Sequence, residues 1–309
     1  MQTVLITGGT GLVGKALSNL LLSKGYQVII LTRSLKQPKA KENLSYALWN
    51  IEQEFIDQDA IREADFIIHL AGAGVVDKKW TTAYKKEIVD SRIKSSELII
   101  KVLKNNPHKV QAIVSSSAIG WYGADTIEGH QFIETDASDE SFLGETCKLW
   151  EASIEGANAL GIRVCKLRTG IVLSNKGGAL AEFIKPIRLG FAAILGSGKQ
   201  IISWIHVDDL CRMFVYAMEN KNMKGSYNAV APHPVSNKNL TVTFAKIMKG
   251  IFFIPLYVPS FILKIIMGKR SIEILKSATV SCEKTTNAGF TFYYPGIEIA
   301  LKELISRKS

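Results

Sequence analysis

The 309-residue sequence predicts an α/β fold, a doubly wound parallel sheet carrying a smaller, mainly helical C-terminal lobe. Three observations lead there. Strand-length apolar runs alternate with amphipathic segments over the first two hundred residues, the pattern of a parallel sheet flanked by helices. A glycine-rich turn stands directly between the first run and the first amphipathic segment. Beyond about Ile171 the rhythm gives way to Gly-rich turns and then helices. A sheet domain over 1–170 and a lobe over 171–309 are therefore expected, the lobe interleaved with the sheet core and including a small subdomain from about 235.

Taken in order, the strands are expected at Thr3–Thr7, Gln27–Thr32, Ser45–Trp49, Asp65–Leu70, Val110–Ser116 and Ile162–Arg168, each a short apolar or β-branched run. Helices fall between most of them, notably Leu12–Ser23, Thr82–Lys104 and Phe142–Leu160. In the lobe, helices begin near Val207, Asn237, Ser260 and Ile297. The "HVDDL" run marks one such start, because Asp208 and Asp209 suit the positive end of a helix dipole.

Apolar residues make up 47% and charged residues 21%, the usage of a folded, soluble-type chain. Lys and Arg (38) outnumber Asp and Glu (28), and the net charge of +10 favours anionic partners. The excess is scattered, with no basic run and no interleaved aromatics, so no nucleic-acid partner is expected. Cys147, Cys165, Cys211 and Cys282 lie far apart and form no C-x-x-C pair, which argues against zinc and a small disulfide scaffold and for a reduced, cytoplasmic setting. Met1 runs straight into a strand, so no export signal is expected. The stretch "IFFIPLYVPSFILKIIM", Ile251–Met267, is very apolar, but Pro255, Pro259 and Lys264 interrupt it. A membrane span takes about 20 apolar residues. No transmembrane span is expected; the stretch reads as a buried turn and helix, with membrane-surface contact the weaker alternative. A monomer or homodimer is expected.

Gly8, Gly11 and Gly14 make the pattern T-G-x-x-G-x-x-G between the first strand and the first helix. Gly8 turns the chain off the strand, Gly11 lets backbone approach a pyrophosphate, and Gly14 lets helix and sheet pack closely. The helix start presents free N–H groups to an anion, so Thr10, Leu12 and Val13 join the glycines as candidate contacts. The fold expected is thus of Rossmann type. At the end of the second strand stand Thr32, Arg33 and Ser34, where NAD-selective proteins commonly place an acid. Arg33 would bind a 2′-phosphate and Ser34 would add a hydrogen bond, which favours NADP(H) over NAD(H); the alternative is an Arg on a solvated loop. Ala71, Gly72 and Ala73 end the fourth strand with small residues beneath a flat cofactor.

With "TGGTGLVG", "HLAGAG" and "VSSSAIGWYG" in this order, the chain resembles an extended short-chain dehydrogenase/reductase. It is more closely similar to that family's atypical branch, the NAD-dependent epimerase/dehydratase-like proteins with a C-terminal domain of unknown function. The stretches "SRIKSSE", "GSGKQIISWIHVDDL" and "GFTFYYPGIEIAL" carry this closer likeness, and the resemblance covers essentially the whole chain. It implies a Ser that holds the substrate, matched by Ser117, and a Tyr-x-x-x-Lys pair on the next helix that moves a proton and binds the nicotinamide ribose. Here Leu143 stands at the Tyr position and Cys147 at the Lys position. A thiol on an apolar helix is more often a packing residue than a catalyst.

The same resemblance places other polar groups near the nicotinamide. Tyr122 and Glu134, the latter with Asp136, are candidates for acid or base beside Ser117. Arg92 and Trp121 are candidate substrate contacts, the first for an anionic group and the second as a stacking surface. Ser115, Thr169, Gly170 and Ile171 are expected against the cofactor, and Gln200, Trp204 and His206 against substrate. Each has a plain structural alternative. Two functions stay open: an NADP(H)-dependent epimerase, dehydratase or reductase acting by hydride transfer on a small polar substrate, and a non-catalytic NADP(H)-binding sensor or scaffold.

Overall fold

The computed structural model describes residues 1–35, 42–127 and 129–307. The first half alternates β1 (Thr3–Thr7), α1 (Leu12–Ser23), β2 (Gln27–Thr32), β3 (Leu44–Asn50), β4 (Phe55–Ile56), α2 (Gln58–Glu63), β5 (Phe66–His69), α3 (Thr82–Asn105), β6 (Ala112–Ala118), α4 (Phe142–Ile154) and β7 (Arg163–Thr169). After α4 the chain tightens into a 3-10 turn over Glu155–Leu160 and leaves it at Gly161, so the helix expected to reach Leu160 changes character in its last turns. The remainder runs β8 (Ile171–Ser174), β9 (Gly177–Gly178), α5 (Ala179–Arg188), β10 (Phe191–Leu195), β11 (Ile201–Ile202), β12 (Trp204–His206), α6 (Val207–Glu219) and β13 (Gly225–Ala229). It closes with β14 (Val235–Ser236), α7 (Asn237–Lys249), β15 (Ile254–Val258), α8 (Ser260–Met267), α9 (Ser271–Leu275), α10 (Glu283–Asn287) and α11 (Ile297–Ser306).

The main sheet has the order β13-β7-β6-β5-β1-β2-β3-β4, parallel throughout except at the β4 edge. Parallel strands covered on both faces are buried along their length, and β1 shows it: all five of its residues are buried, with Val4, Leu5 and Ile6 apolar between two hydrogen-bonded threonines. Val4 and Ile6 pack toward Leu17 and Leu21 of α1 and Met213 and Phe214 of α6. Leu5, on the other face, packs with Ile67, Ile113 and Leu98, Ile99 and Val102 of α3. The strand order reverses at β1, which opens a crevice at the carboxyl ends of β1 and β5, where such sheets bind ligands. Residues beyond 171 return to this core, since α6 packs on α1 and β13 extends the sheet. A separate core around Leu173, Leu180, Trp204, Leu240, Phe244 and Leu301 holds the lobe.

Ile251–Met267 departs from its expected burial. Ile251 and Phe252 are 85% and 80% exposed, every β15 residue from Ile254 to Tyr257 is exposed, and in α8 only Leu263 is buried. The physical reason is position: α5 and α7 pack on β10 and bury Ala192 and Ile194, while β15 pairs with β10 alone at the edge and its own residues stay outside that core. No helix among those residues is long and apolar enough to cross a membrane.

Candidate functional site

The crevice begins at the β1–α1 turn. Gly8 adopts φ +68°, the left-handed region, and the Gly11 N–H donates to its carbonyl at 3.0 Å. Gly14 sits so close beneath that a Cβ on it would lie 2.4 Å from the Gly8 carbonyl oxygen and 2.5 Å from the Gly9 Cα. Gly11 caps α1 with no side chain, and no acid stands in the first turn. The turn therefore presents backbone N–H groups and the positive end of the helix to the crevice, and it fits an anionic pyrophosphate.

Two residues that the sequence reading missed hold this turn to β5. The Thr7 hydroxyl accepts from the Leu70 and Ala71 N–H groups, both at 3.1 Å, so its own proton goes to His69 Nδ1 at 2.7 Å. That leaves the His69 proton on Nε2, facing the hydroxyls of Ser96 (3.1 Å) and Ser95 (3.3 Å). Burial first, and the Arg92 charge second, push its pKa down to about 3 from 6.5. His69 is neutral in the fold and protonates in the unfolded chain below about 6.5, so its contribution to stability is complete above that value and falls as pH drops toward 3. The expected slope is about 1.4 kcal/mol per pH unit. Urea unfolding between pH 6.5 and 4.5 checks this: the wild type should lose stability more steeply than His69→Gln, and equal slopes would refute it.

At the end of β2 the Thr32 hydroxyl accepts from the Ser34 N–H at 3.3 Å, an arrangement that leaves the Arg33 side chain exposed at the rim. On the far side, Ala71 is buried, and the Ala73 N–H donates to the Ser91 hydroxyl. Arg92 lies under this loop, against Gly72. It donates to the carbonyls of Ala73 (3.0 Å) and Ile88 (2.8 Å) and stacks over Trp150 with Cζ 4.9 Å from the ring centre. Leu143 and Cys147 both pack on Gly120, in the bend after β6. Burial above all drives the Cys147 thiol up to about 12, so it is a neutral packing group at ordinary pH. The nearby cation is Arg92, whose charge bears on that thiol.

Ser117, Trp121, Tyr122 and Glu134 do come together, but around a centre the sequence reading did not assign. Arg168, on β7, donates from Nε (2.8 Å) and Nη2 (3.1 Å) to the two oxygens of Glu151 on α4. Ser117 and Ser226 donate to the same carboxylate at 2.7 and 2.8 Å. Arg168 Nη1 reaches the Tyr122 hydroxyl (3.0 Å) and the Glu134 carbonyl (3.1 Å), and its guanidinium lies 3.7 Å from the Trp121 ring centre. Tyr122 in turn donates to Asn228 at 2.7 Å, and the Asn228 N–H donates to the Glu134 carboxylate, also at 2.7 Å. Burial works to raise the Glu151 pKa, but the hydrogen bonds and charge of Arg168 outweigh it and hold the carboxyl below its ordinary value. Tyr122, expected as a proton donor, is fully buried, and burial pushes its phenol up to about 12. Its hydroxyl is committed to Arg168 and Asn228, and the Glu134 carboxylate to backbone, so both brace the network.

Ser115 is buried and donates to the Ser116 carbonyl. Thr169 ends β7, the Gly170 N–H donates to the Ala229 carbonyl, and the Ile171 N–H donates to that of Ser203, leaving the Ile171 side chain 42% exposed. Gln200, Trp204 and His206 lie elsewhere, inside the lobe. Gln200 donates to the Leu195 carbonyl and Trp204 to that of His233. His206 caps α6 by accepting from the Asp208 N–H, and its Nε2 meets Glu303 of α11 at 2.8 Å. These three, expected against substrate, are spent on the lobe's own packing because the "QIISWIH" strand runs through its core. His206, Asp208 and Glu303 converge within 4.8 Å, yet Arg307 already pairs with both carboxylates.

Residues 4–230 match the sequence model of the NAD dependent epimerase/dehydratase family, and residues 258–304 match a domain of unknown function (DUF1731). The chain belongs to the NAD-dependent epimerase/dehydratase family. Among its relatives is an epimerase family protein of Bacillus subtilis, YfhF, 34% identical over 305 residues, covering 99% of this chain and 98% of the relative. The human epimerase family protein SDR39U1, solved with NADPH, superposes with a TM-score of 0.86 at 27% identity, over 99% of this chain and 100% of that one. A nucleoside-diphosphate sugar epimerase from Corynebacterium glutamicum gives 0.76 at 29% identity, over 98% of this chain and 58% of the other. The family match thus spans the sheet domain and ends just past β13, while the DUF1731 match begins at the end of β15 and runs to α11.

Proposed function

We propose that the chain binds NADP(H) in the crevice and is a nicotinamide-dependent enzyme of the epimerase, dehydratase or reductase kind, acting on a small polar substrate. The β1–α1 turn carries this reading, since Gly14 closes it to a Cβ and leaves backbone N–H groups for a pyrophosphate. The human relative solved with NADPH supports the cofactor. Gly8, Thr10, Gly11, Leu12 and Val13 would hold the pyrophosphate; Thr32, Arg33 and Ser34 the 2′-phosphate; Ala71 to Ala73, Ser115 and Thr169 to Ile171 the nicotinamide end. The nicotinamide, when bound, supplies a hydride donor or acceptor. Arg92, pressed against Gly72, would supply a cation near the nicotinamide end, and Ser117, whose hydroxyl donates to Glu151, would hold the substrate as the family's Ser does. Arg168, held by Glu151 and Tyr122, keeps Trp121 in place as the wall of the substrate side.

One observation favours the second reading, a cofactor-binding sensor without turnover. Leu143 cannot titrate, and the Cys147 thiol titrates far above neutrality, so neither stands in for a proton-transfer pair.

A fluorescence titration of the purified protein with NADPH and NADH tests the cofactor. Arg33→Asp should weaken NADPH binding about 10- to 100-fold, the worth of a charge-assisted hydrogen bond, and leave NADH unaffected. Equal affinities in wild type and variant would remove Arg33 from the site. NADPH oxidation across a panel of carbonyl compounds then separates the readings: turnover establishes the enzyme, and tight binding with none establishes the sensor.

A further inference from the structure

No Asp or Glu occurs between Glu219 and Glu273, a stretch that carries eight Lys or Arg. Its second half forms β15 and α8, both largely exposed. β15 lies beside β10 with Phe191 next to Ile254 and Ala193 next to Leu256, and its outer edge is unpaired among the described residues. The turn before β15 lifts Ile251 and Phe252 into solvent, and on α8, which follows β15 after Pro259 alone, Ile265 and Ile266 are 78% and 65% exposed. Exposed apolar residues scattered singly need no explanation, but a contiguous group marks an interaction surface. Lys264 on α8 and Lys269 just after it are exposed, and no carboxylate pairs with either among the described residues.

We propose that this face docks on an anionic lipid surface, with the turn before β15 and the outer side of α8 in the headgroup layer and Lys264 and Lys269 against the phosphates. An apolar crest with a cationic rim is the chemistry of a segment lying in a membrane interface, and each Lys or Arg there adds attraction toward anionic lipid. A second copy fits less well. A two-fold interface sets the same patch against itself and would bring the cationic rims together. Spanning is excluded for α8 by its eight residues. Arg270, just past Lys269, donates to the Val76 carbonyl in the loop after β5, so the face is tied to the rim of the crevice.

Co-sedimentation of the full chain with phosphatidylcholine vesicles, with and without an equal part of phosphatidylglycerol, tests the proposal. The wild type should sediment with the mixed vesicles at low salt and be released at high salt. The pairs Ile265→Glu with Ile266→Glu, and Lys264→Glu with Lys269→Glu, should each cut partitioning by about tenfold or more. Unaltered thermal unfolding of both variants shows that the fold is kept. Failure of the wild type to sediment, or sedimentation of the variants equal to it, overturns the proposal. So does a doubling of mass by light scattering that the Ile265 and Ile266 pair abolishes without any vesicle binding, which would assign the face to a second copy.

Discussion

Replacing Glu151 with Ala is expected to destabilise the fold by about 3–5 kcal/mol, the cost of leaving a buried charge without its partner. The charge is Arg168, whose side chain is 3% exposed and whose bidentate hold on Glu151 is the network's main neutralising contact. Ser117 and Ser226 lose their acceptor in the same step. Removing both charged partners, with Arg168→Leu added, should recover much of the loss, because an apolar pair leaves no orphaned ion. Acid should act in the same direction as the mutation. With its folded pKa held below the ordinary carboxylate value, Glu151 stabilises the fold fully above that value and loses its contribution as pH falls through the folded one. Urea midpoints of the wild type, the single and the double variants measure this, and a single-variant loss below about 1 kcal/mol would show that water satisfies Arg168.

Gly14→Ala should be nearly as damaging to stability and more so to binding. The new methyl would meet backbone at 2.4 and 2.5 Å, not a side chain that can swing aside, so either α1 or the turn must move. Overpacking of this kind costs about 1–3 kcal/mol. Because the displaced atoms are those that cradle the anion, NADPH affinity should fall about 100-fold. Titration of the variant at a temperature where circular dichroism shows it folded separates the two effects; unchanged affinity would mean that the pyrophosphate does not rest on this turn.

Where a residue's role depends on neighbours within a turn or two, it could be read directly. Thr3–Thr7 and Leu12–Ser23 have the predicted bounds in the structure, since a doubly covered strand needs an apolar run such as Val4–Ile6 and the glycine turn joins strand to helix. The starts of α6 and α7 were legible for the same reason: His206 and Ser236 cap them, and capping is local chemistry. The substrate side was not. Arg168, Glu151, Tyr122 and Asn228 come from β7, α4, the bend after β6 and β13, and nothing near any of them names the others. The alternation in α4 that faces Leu143, Cys147 and Glu151 toward β6 is a faint signal, visible only once the helix is docked.

Hydropathy misled where tertiary cover failed. Ile251–Met267 has the composition of a core, but α5 and α7 cover β10 and not the edge strand β15, so the same residues become surface. Trp204 and His206 erred in the opposite direction: polar-edged and near the expected substrate loop, they are enclosed because α11 folds back over β12 and supplies Glu303. By itself, the sequence determined the sheet and the glycine turn, because these rest on backbone periodicity and a few glycines; that Leu143 and Cys147 stand at the family's Tyr and Lys positions is what the resemblance implies. Only the tertiary structure decided which polar groups are locked into the framework and which apolar ones stay outside, because burial is a property of what packs against a residue from elsewhere in the chain.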